Sequence, residues 1–390
     1  MTTNYSLAAP SWDHKEIEAM QKVIQSGFFT MGKEVKRFEV DFAKYFGSKF
    51  AIMVNSGSSA NLLAIAALFF RSSNAITRGD EVIVPAVSWS TTYTPLQQYG
   101  LKVKFVDIDA QTLNFDLKAL EEAITPETKL IFAVNLLGNP NSFDEINNII
   151  GDRNIILLED NCESMGATYK GIQAGNFGLM GTFSSFFSHH ISTMEGGIII
   201  TDDEEIYHIL LSLRSHGWTR HLPKENRITG TKSDDPFEES FKFVLPGYNL
   251  RPLELSGAIG CEQLKKLPAF VEQRRKNAAL FKEKVQKIDF LVTQQEIGES
   301  SWFGFSMVID PESSIERCKL IQYLSELGIE TRPIVTGNFA KNEVVKYFDF
   351  SIQGDLKNAE LIDKYGFFVG NHHFDLNSEI DFLCKSLSSF

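Results

Sequence analysis

The chain contains few cysteines, four in 390 residues, and none lies close to another in the sequence. A zinc site or an iron–sulfur cluster built from local ligands needs grouped cysteines, so no metal centre is expected. Scattered thiols of this kind fit a reducing compartment. We expect all four to be buried thiols: Cys162, Cys261, Cys318 and Cys384.

Long hydrophobic runs and an excess of positive charge are also missing. The longest apolar run of helical character, residues 61–70, is about half of what spans a bilayer. Residues 1–16 lack the basic start and the apolar core of a secretory signal, which predicts a cytosolic protein. A formal net charge of −12 argues against nucleic acid or a membrane surface as partners, because both need a broad positive face.

An ordinary globular composition is present, with 43% hydrophobic and 23% charged residues, enough for a large core and two domains. Short β-rich runs occur at 50–54, 81–85, 103–108, 130–135, 155–160 and 197–201. Helical stretches lie between them, such as 59–70, 117–124 and 203–215. This alternation predicts an α/β fold with a mostly parallel sheet flanked by helices, in which ligands bind at the carboxyl ends of the strands.

The domain boundary is expected near residue 250. Residues 222–248 are polar, rich in charge, glycine and proline, and poorly periodic, which predicts a long excursion from the core. A helical pattern follows at 255–288, and WFGFSMVI then opens a second α/β unit. We therefore expect a large domain over 1–250, followed by a connecting helix and a small C-terminal α/β domain over 251–390.

The stretch VNSGSSANLL, residues 54–63, places a glycine and three serines between a strand and an apolar helix that begins near Ser59. Gly57 lets the backbone approach an anion, serine hydroxyls donate hydrogen bonds, and the helix N-terminus favours negative charge. This is the outline of a phosphate site. The same residues could also simply cap the helix.

Two further stretches end strands with polar or aromatic residues. IILLEDNCESMGA carries Glu159 and Asp160 at the carboxyl end of a buried strand, where a carboxylate can cap a helix or pair with a cationic ring nitrogen. VPAVSWSTTY carries Trp89, which could stack on a flat ring or belong to the core.

The stretch FSSFFSHHISTMEGG places His189 and His190 side by side where an apolar, aromatic strand leaves the sheet. Most histidines are structural or lie on the surface. Imidazole is also a competent proton carrier near neutral pH. The neighbouring motifs have to decide between these roles.

Taken in order, VNSGSSAN, GDEVIVPAVSWS, ILLEDNCESMGA, SSFFSHHISTMEGG and LPGYNLRPLE resemble the sugar-nucleotide aminotransferase family of fold-type I pyridoxal-phosphate (PLP) enzymes. The resemblance covers most of the chain and implies the fold-type I fold. It implies that Gly57, Ser58 and Ser184 hold the cofactor phosphate. It also implies that Asp160 pairs with the pyridine nitrogen and that Trp89 stacks on the ring. Asn249 would reach the phosphate of the neighbouring subunit in a homodimer.

The chain departs from the aminotransferases at two positions. They carry a lysine six residues before the acidic residue of the E-G-G triplet, and here that position is His189. No lysine occurs between Lys170 and Lys224. We therefore expect PLP, and its amine form PMP, to be bound without a covalent link. The second departure is Glu163, where the aminotransferases generally have Gln or His beside the pyridine ring.

Histidine in the context HHISTMEGG resembles the 3-dehydratases of deoxysugar biosynthesis in the colitose pathway. The resemblance implies a substrate, GDP-4-keto-6-deoxymannose, and an amino donor, L-glutamate, which regenerates PMP. His189 would act as the base that permits loss of the C3 hydroxyl, while His190 would be a neighbour in the turn. Related CDP-sugar dehydrases use an iron–sulfur cluster and a reductase, so the lack of grouped cysteines predicts no such partner.

Two alternatives remain open. The chain could be a 4-keto sugar aminotransferase in which His189 replaces the lysine, or a non-catalytic regulator of the same fold. The intact phosphate, Asp160 and Trp89 motifs argue against the second. Substrate contacts are expected from three basic residues that flank predicted cleft loops, although each could be a surface or structural charge: His216, Arg220 and Arg332.

Overall fold

The computed structural model describes residues 4–390, which form helices and strands in alternation. The strands are β1 (Phe50–Val54), β2 (Glu81–Pro85), β3 (Lys102–Val106), β4 (Thr128–Val134), β5 (Ile156–Asp160), β6 (Thr168–Tyr169), β7 (Ile172–Gln173), β8 (Met180–Ser184), β9 (Gly197–Thr201), β10 (Glu225–Asn226), β11 (Gly230–Thr231), β12 (Leu291–Thr293), β13 (Gly304–Ile309), β14 (Phe350–Ile352) and β15 (Gly366–Gly370).

The α-helices are α1 (His14–Ser26), α2 (Lys33–Phe46), α3 (Gly57–Leu68), α4 (Ser90–Gln98), α5 (Leu117–Ala123), α6 (Phe143–Ile150), α7 (Glu204–Arg214), α8 (Pro236–Glu239), α9 (Glu254–Val285), α10 (Arg317–Glu326), α11 (Lys357–Tyr365) and α12 (Asn377–Ser388). Short 3₁₀ helices span Leu136–Gly138, Phe339–Lys341 and Glu343–Tyr347. No helix within residues 4–390 is long and apolar enough to cross a membrane.

The main sheet has eight strands in the order β1-β9-β8-β5-β4-β2-β3-β14. Pairing is parallel from β8 to β14, whereas β9 is antiparallel to both of its neighbours. This confirms the prediction of a mostly parallel sheet. Because β8 and β9 are consecutive and antiparallel, they form a hairpin, and the loop between them carries the two histidines.

Alternation along β1 shows how the sheet is covered on both faces. Ile52 and Val54 belong to the core cluster that includes residues of α3 and α7. Ala51 and Met53 belong to a different cluster that includes α2 and α9. Successive side chains of a strand point to opposite faces, so the run FAIMV is apolar throughout because both of its faces are buried.

A second, antiparallel sheet has the order β12-β13-β15 and a core of its own. In that core Phe281 of α9 stacks on Phe305 of β13 at 4.3 Å between ring centroids, and Tyr5 is also buried there. Strand β14, although late in the sequence, pairs with β3 in the main sheet. The domain division near residue 250 remains a proposal, and the chain crosses between the two sheets more than once.

Several predicted details need correction. Helix α3 begins at Gly57 rather than near Ser59, because the Ser56 hydroxyl caps it by accepting a hydrogen bond from the Ser59 N–H at 3.1 Å. Trp89 does not end a strand: β2 stops at Pro85 and Trp89 is the N-cap of α4.

The cysteines also differ from the expectation. Cys318 is exposed, near the start of α10, and Cys162 is only partly buried, whereas Cys261 and Cys384 are buried as expected. A single cysteine in a sequence does not show whether it lies on the exposed or the buried side of an amphipathic helix.

The adjacent acidic residues at the end of β5 have different partners. Glu159 is fully buried, and its carboxyl group accepts hydrogen bonds from the N–H groups of Gly175, Phe177 and Gly178 at 2.6–2.9 Å. These bonds fix the loop that leads into β8. Glu159 is therefore a structural residue. Asp160, the next residue of β5, points to the opposite face of the sheet.

Replacing Glu159 with Gln should destabilise the protein, because the new amide NH₂ would face backbone donors in a buried site. We expect the free energy of unfolding to fall by about 1–3 kcal/mol, measured by urea denaturation followed by circular dichroism. Glu122→Gln is the matched control, since that side chain is 57% exposed. Equal stability of the two variants would contradict the role assigned to Glu159.

Candidate active site

A cavity of about 570 Å³ opens at the carboxyl ends of β5 and β8. The cavity is lined by most of the site residues predicted from the sequence: Gly57, Ser58, Trp89, Asp160, Glu163, Ser184, His189 and Arg332. These residues come from at least five separate segments. Their convergence in one cavity is the first structural support for a common site.

The phosphate cradle predicted at Gly57 has no room for a side chain. A Cβ atom on Gly57 would lie 2.6 Å from the Ser184 Cβ and 3.0 Å from the Cys162 Sγ. Gly57 and Ser58 are the first two residues of α3, so their N–H groups have no acceptor within the helix. The helix N-terminus, the Ser58 and Ser184 side chains and the missing Cβ together form a suitable anion site.

Asp160 is held by donors from three directions. Its Oδ2 accepts hydrogen bonds from the Asn61 Nδ2 and the Thr92 Oγ1, both at 2.8 Å. Its Oδ1 accepts a hydrogen bond from the Cys162 N–H at 3.1 Å. The carboxylate is buried yet lines the cavity, so it can pair with a cationic ring nitrogen placed there.

Trp89 lines the cavity with 58% of its surface exposed, an unusual state for such a large apolar side chain. Behind it, α4 is joined to the cradle by a hydrogen bond from the Ser58 Oγ to the Thr91 Oγ1 at 3.0 Å. An open aromatic face beside an anion site and a carboxylate suits a flat, charged ligand.

Glu163 lies on the same side of the cavity as Asp160. One of its oxygens accepts a hydrogen bond from the Leu137 N–H at 3.0 Å. Burial raises the pKa of Glu163 to about 7, and the charge of Asp160 acts in the same direction. Glu163 can therefore donate or accept a proton near neutral pH.

His189 stands on the loop between β8 and β9, residues 185–196, which is closed by its own hydrogen bonds. The Ser185 N–H donates to the Gly196 carbonyl and the Thr193 N–H donates to the Ser185 carbonyl, both at 2.9 Å. The hydroxyls of Ser185 and Thr193 are 2.6 Å apart. Outside the loop, the Trp12 indole donates to the Ser192 carbonyl. The loop is thus rigidly placed.

The His189 imidazole lines the cavity between two phenylalanine rings. Its ring centroid lies 5.1 Å from that of Phe303 and 5.9 Å from that of Phe186, both edge-on. Its Nδ1 is buried and, within residues 4–390, has no hydrogen-bond partner. Burial, together with the smaller effect of the positive charge of Arg274, lowers the pKa of His189 to about 4. His189 is a free base at neutral pH.

His190 points away from the cavity and is buried. Its Nε2 donates to the Ser301 carbonyl at 3.1 Å, which joins the histidine loop to the segment before β13. Burial holds the pKa of His190 well below its usual value. The sequence-based assignment of His190 as a structural neighbour agrees with this placement.

No lysine is among the described residues that line the cavity, and Arg332 is its only lysine or arginine. Arg332 is anchored through its backbone, whose N–H donates to the Phe368 carbonyl at 3.0 Å. Within residues 4–390, no group of three or more His, Cys, Asp or Glu is arranged to hold a metal ion.

The other predicted residues lie outside this cavity. His216 adopts a left-handed backbone conformation, with φ of 63°, and the Arg220 guanidinium stacks over the Trp218 ring at 4.3 Å. Asn249 is exposed, and its Oδ1 accepts a hydrogen bond from Arg251. Their roles toward a substrate or a neighbouring subunit remain predictions.

Sequence reasoning missed several residues that shape the site. Asn61 and Thr92 orient Asp160, and Phe303 packs against His189. Asn61 lies within the quoted motif VNSGSSANLL, so its position four residues into an anion-binding helix could have drawn attention to it. Phe303 comes from a distant segment, and its place in the cavity depends on tertiary structure alone.

Residues 10–379 match the family described as the DegT/DnrJ/EryC1/StrS aminotransferase family. Among curated proteins, GDP-4-keto-6-deoxy-D-mannose 3-dehydratase of Escherichia coli O55:H7 is 65% identical over 385 residues, which cover 98% of this chain and 99% of the relative.

Solved structures agree with this likeness. A structure of GDP-4-keto-6-deoxymannose-3-dehydratase with a trapped PLP-glutamate geminal diamine has a TM-score of 0.98 and 65% identity, covering 98% of this chain and 100% of that chain. A histidine-to-asparagine variant of the same enzyme with bound GDP-perosamine has a TM-score of 0.98 and 64% identity, with the same coverage.

The lysine-free cavity generates a direct prediction. Borohydride treatment of the PLP-loaded protein, followed by peptide mass spectrometry, should find no stoichiometric cofactor adduct on any lysine. His189→Lys provides the positive control, because it places an amine on the same loop and should be labelled. A stoichiometric adduct on a native lysine would overturn the assignment of non-covalent binding.

Proposed function

This chain belongs to the DegT/DnrJ/EryC1/StrS aminotransferase family, and we propose that it is a PLP-dependent 3-dehydratase of GDP-4-keto-6-deoxymannose in which His189 is the catalytic base. The observation that carries the proposal is the lysine-free cavity with an imidazole on the loop where the aminotransferases have lysine. The 65% identity to the Escherichia coli dehydratase supports the same reaction.

The residues of the cavity fit PLP. The N–H groups of Gly57 and Ser58 at the start of α3 would hold the phosphate, and the Ser184 side chain packs so closely on Gly57 that a Cβ there would lie 2.6 Å from the Ser184 Cβ. Asp160 would pair with the pyridine nitrogen and Trp89 would stack on the ring, since both side chains line the cavity. When bound in its amine form, the cofactor supplies the nitrogen that condenses with the C4 ketone and the two electrons that replace the C3 hydroxyl.

His189 has to move one proton, and its surroundings suit that task. As a free base it can accept the proton from the cofactor C4′ carbon, which releases the electron pair that expels the C3 hydroxyl. Since the pKa of His189 is lowered to about 4 by burial and by Arg274, the resulting imidazolium is a stronger acid than that of an ordinary histidine. It therefore gives the proton readily to the departing hydroxyl, which leaves as water.

Glutamate has to enter the same cavity to regenerate the amine form of the cofactor. Arg332 is the only lysine or arginine among the described cavity residues, so it is the natural partner for an anionic group of glutamate or of the sugar nucleotide. Hydrolysis of the product then releases ammonia and the 4-keto-3,6-dideoxy sugar nucleotide. The reaction belongs to colitose formation for the lipopolysaccharide O-antigen, in the cytoplasm.

A homodimer with shared sites is the proposed active unit. The segment after Asn249 runs beside the phosphate cradle, since the Asn55 N–H donates to the Leu250 carbonyl at 3.1 Å. Next to it, Phe28, Phe29 and Leu253 are each at least 50% exposed. A contiguous apolar surface beside a site residue is typical of a subunit interface.

If His189 is the base, His189→Asn should bind the amine cofactor and the keto sugar but lose dehydration by about 10² to 10⁴-fold. Its Asp160, Gly57 and Trp89 contacts are untouched, so cofactor binding followed by absorbance should stay near normal. Rates are measured as ammonia release with saturating glutamate and cofactor.

His14→Asn is the control variant. It should dehydrate the sugar at the wild-type rate, because the His14 side chain is 73% exposed and does not line the cavity. His190→Asn should retain far more activity than His189→Asn when folded and loaded. Near-normal dehydration by His189→Asn would refute the assignment. Stoichiometric conversion of the keto sugar to an amino sugar by the wild type would instead favour the aminotransferase.

The shared site can be tested with hybrid dimers. An Asn249→Ala chain mixed with a His189→Asn chain should regain part of the wild-type activity, because one site of each heterodimer then carries neither change. Tagged chains purified in tandem establish that heterodimers form. Heterodimers no more active than the two parents would mean that Asn249 does not serve the partner's site.

A further inference from the structure

Arg274, on α9 (Glu254–Val285), is a buried cation that has no acidic partner among residues 4–390. Its Nη1 donates to three backbone carbonyls, those of Asn371 at 2.6 Å, Phe303 at 3.0 Å and Trp302 at 3.4 Å. Within residues 4–390 its Nε has no partner, and its side chain is 4% exposed. Burial lowers the pKa of Arg274 to about 10, so the guanidinium remains charged at neutral pH.

Two of the carbonyls that Arg274 binds, those of Trp302 and Phe303, belong to the segment that supports His189. On its other side this segment is fixed to the 3₁₀ helix Leu136–Gly138 that follows β4, because the Phe303 N–H donates to the Leu137 carbonyl and the Ser301 N–H donates to the Gly138 carbonyl. Trp302, between them, has a φ of 49°, in the left-handed region. Such a conformation persists only where neighbouring contacts hold it. The Phe303 ring is thereby set against the imidazole.

We propose that Arg274 is a positioning residue for His189: its uncompensated charge opposes protonation of the imidazole, and its carbonyl bonds hold the Phe303 ring that orients it. This rests on the proposed function, in which His189 works as a free base. A carboxylate beside Arg274 would cancel the field, so the use of neutral carbonyls as its acceptors is what lets the charge act on the histidine.

The other charged groups around His189 do not replace this effect. The remaining ionisable residues of the cavity lining are Asp160, Cys162, Glu163, Glu195 and Arg332. Negative charge on the acidic members would favour imidazolium and so raise the pKa of His189, which is opposite to the effect of burial and of Arg274. Burial is the largest cause of the lowered pKa of His189, and Arg274 is the charge that adds to it.

The same guanidinium acts on further histidines. Burial lowers the pKa of His372 and of His373 to about 4, with Arg274 contributing to both. His190 is affected in the same direction. The charge thus makes this whole region unfavourable for a second positive charge.

Nuclear magnetic resonance of carbon-labelled histidine in the PLP-loaded protein tests the proposal, with His189 assigned by loss of its signal in His189→Asn. Wild-type His189 should stay neutral from about pH 8 to about pH 5. In Arg274→Gln its titration midpoint should rise by about one pH unit, because a like charge has been removed. The acid limb of the pH profile for dehydration should move upward with it.

Arg275→Gln is the matched control. Arg275 is the next residue of α9 and also donates to loop carbonyls, those of Ser300 and Glu299, but it is 34% exposed and paired with Glu299. Its loss should leave the His189 midpoint in place. An equal rise in both variants, or no rise in Arg274→Gln, would overturn the proposal whether or not the enzyme is a dehydratase.

Arg274→Lys tests the electrostatic role of Arg274 even if Arg274→Gln does not fold. It keeps the charge but loses part of the carbonyl contacts, so a midpoint within about half a unit of wild type supports the electrostatic role. A midpoint returning to the usual histidine range would contradict it. Failure of the proposed function itself would appear separately, as normal dehydration by His189→Asn.

Discussion

The hydrogen bonds that converge on Asp160 hold the site together. Asn61 brings α3 to this carboxylate, Thr92 brings α4, and the carboxylate itself ends β5. The Thr182 hydroxyl of β8 donates to the Asn61 Oδ1 at 2.6 Å, two residues before Ser184. Hydrogen bonds to a charged group contribute about 1.5–3 kcal/mol each. The phosphate cradle, the stacking surface and the base of the histidine loop are therefore positioned by one connected network.

Much of the fold was predictable because its signals are local. The runs 50–54, 81–85 and 197–201 match β1, β2 and β9 residue for residue, since buried strands are continuous apolar runs. The cavity residues at the phosphate cradle, Asp160, Trp89 and His189 followed from ordered motifs. Each motif lies directly after a strand, where the chain order alone brings it to the same edge of the sheet.

The remainder was not predictable because it depends on contacts between distant segments. Arg274 lies 85 residues after His189, and its acceptors are backbone carbonyls that leave no trace in side-chain sequence. The pairing of β14 with β3 joins a C-terminal segment to the main sheet through three exposed residues without an apolar run. The expectation that His216 and Arg220 contact the substrate rests on their charge. Charge in a sequence does not show whether a residue lines a cavity of the folded chain.

The closed loop between β8 and β9 also bears on how such enzymes diverge. Its base is held by bonds among Ser185, Thr193 and Gly196, and none of these bonds uses the side chain at position 189. That position can therefore accept a different functional group while the loop keeps its shape. A different side chain there would change the group that faces the cavity without breaking the bonds that close the loop. Refinement of the new group's basicity could come afterwards, at residues remote in sequence. The group that performs the chemistry is thus held separately from the contacts that would hold the cofactor, so one can change without the other.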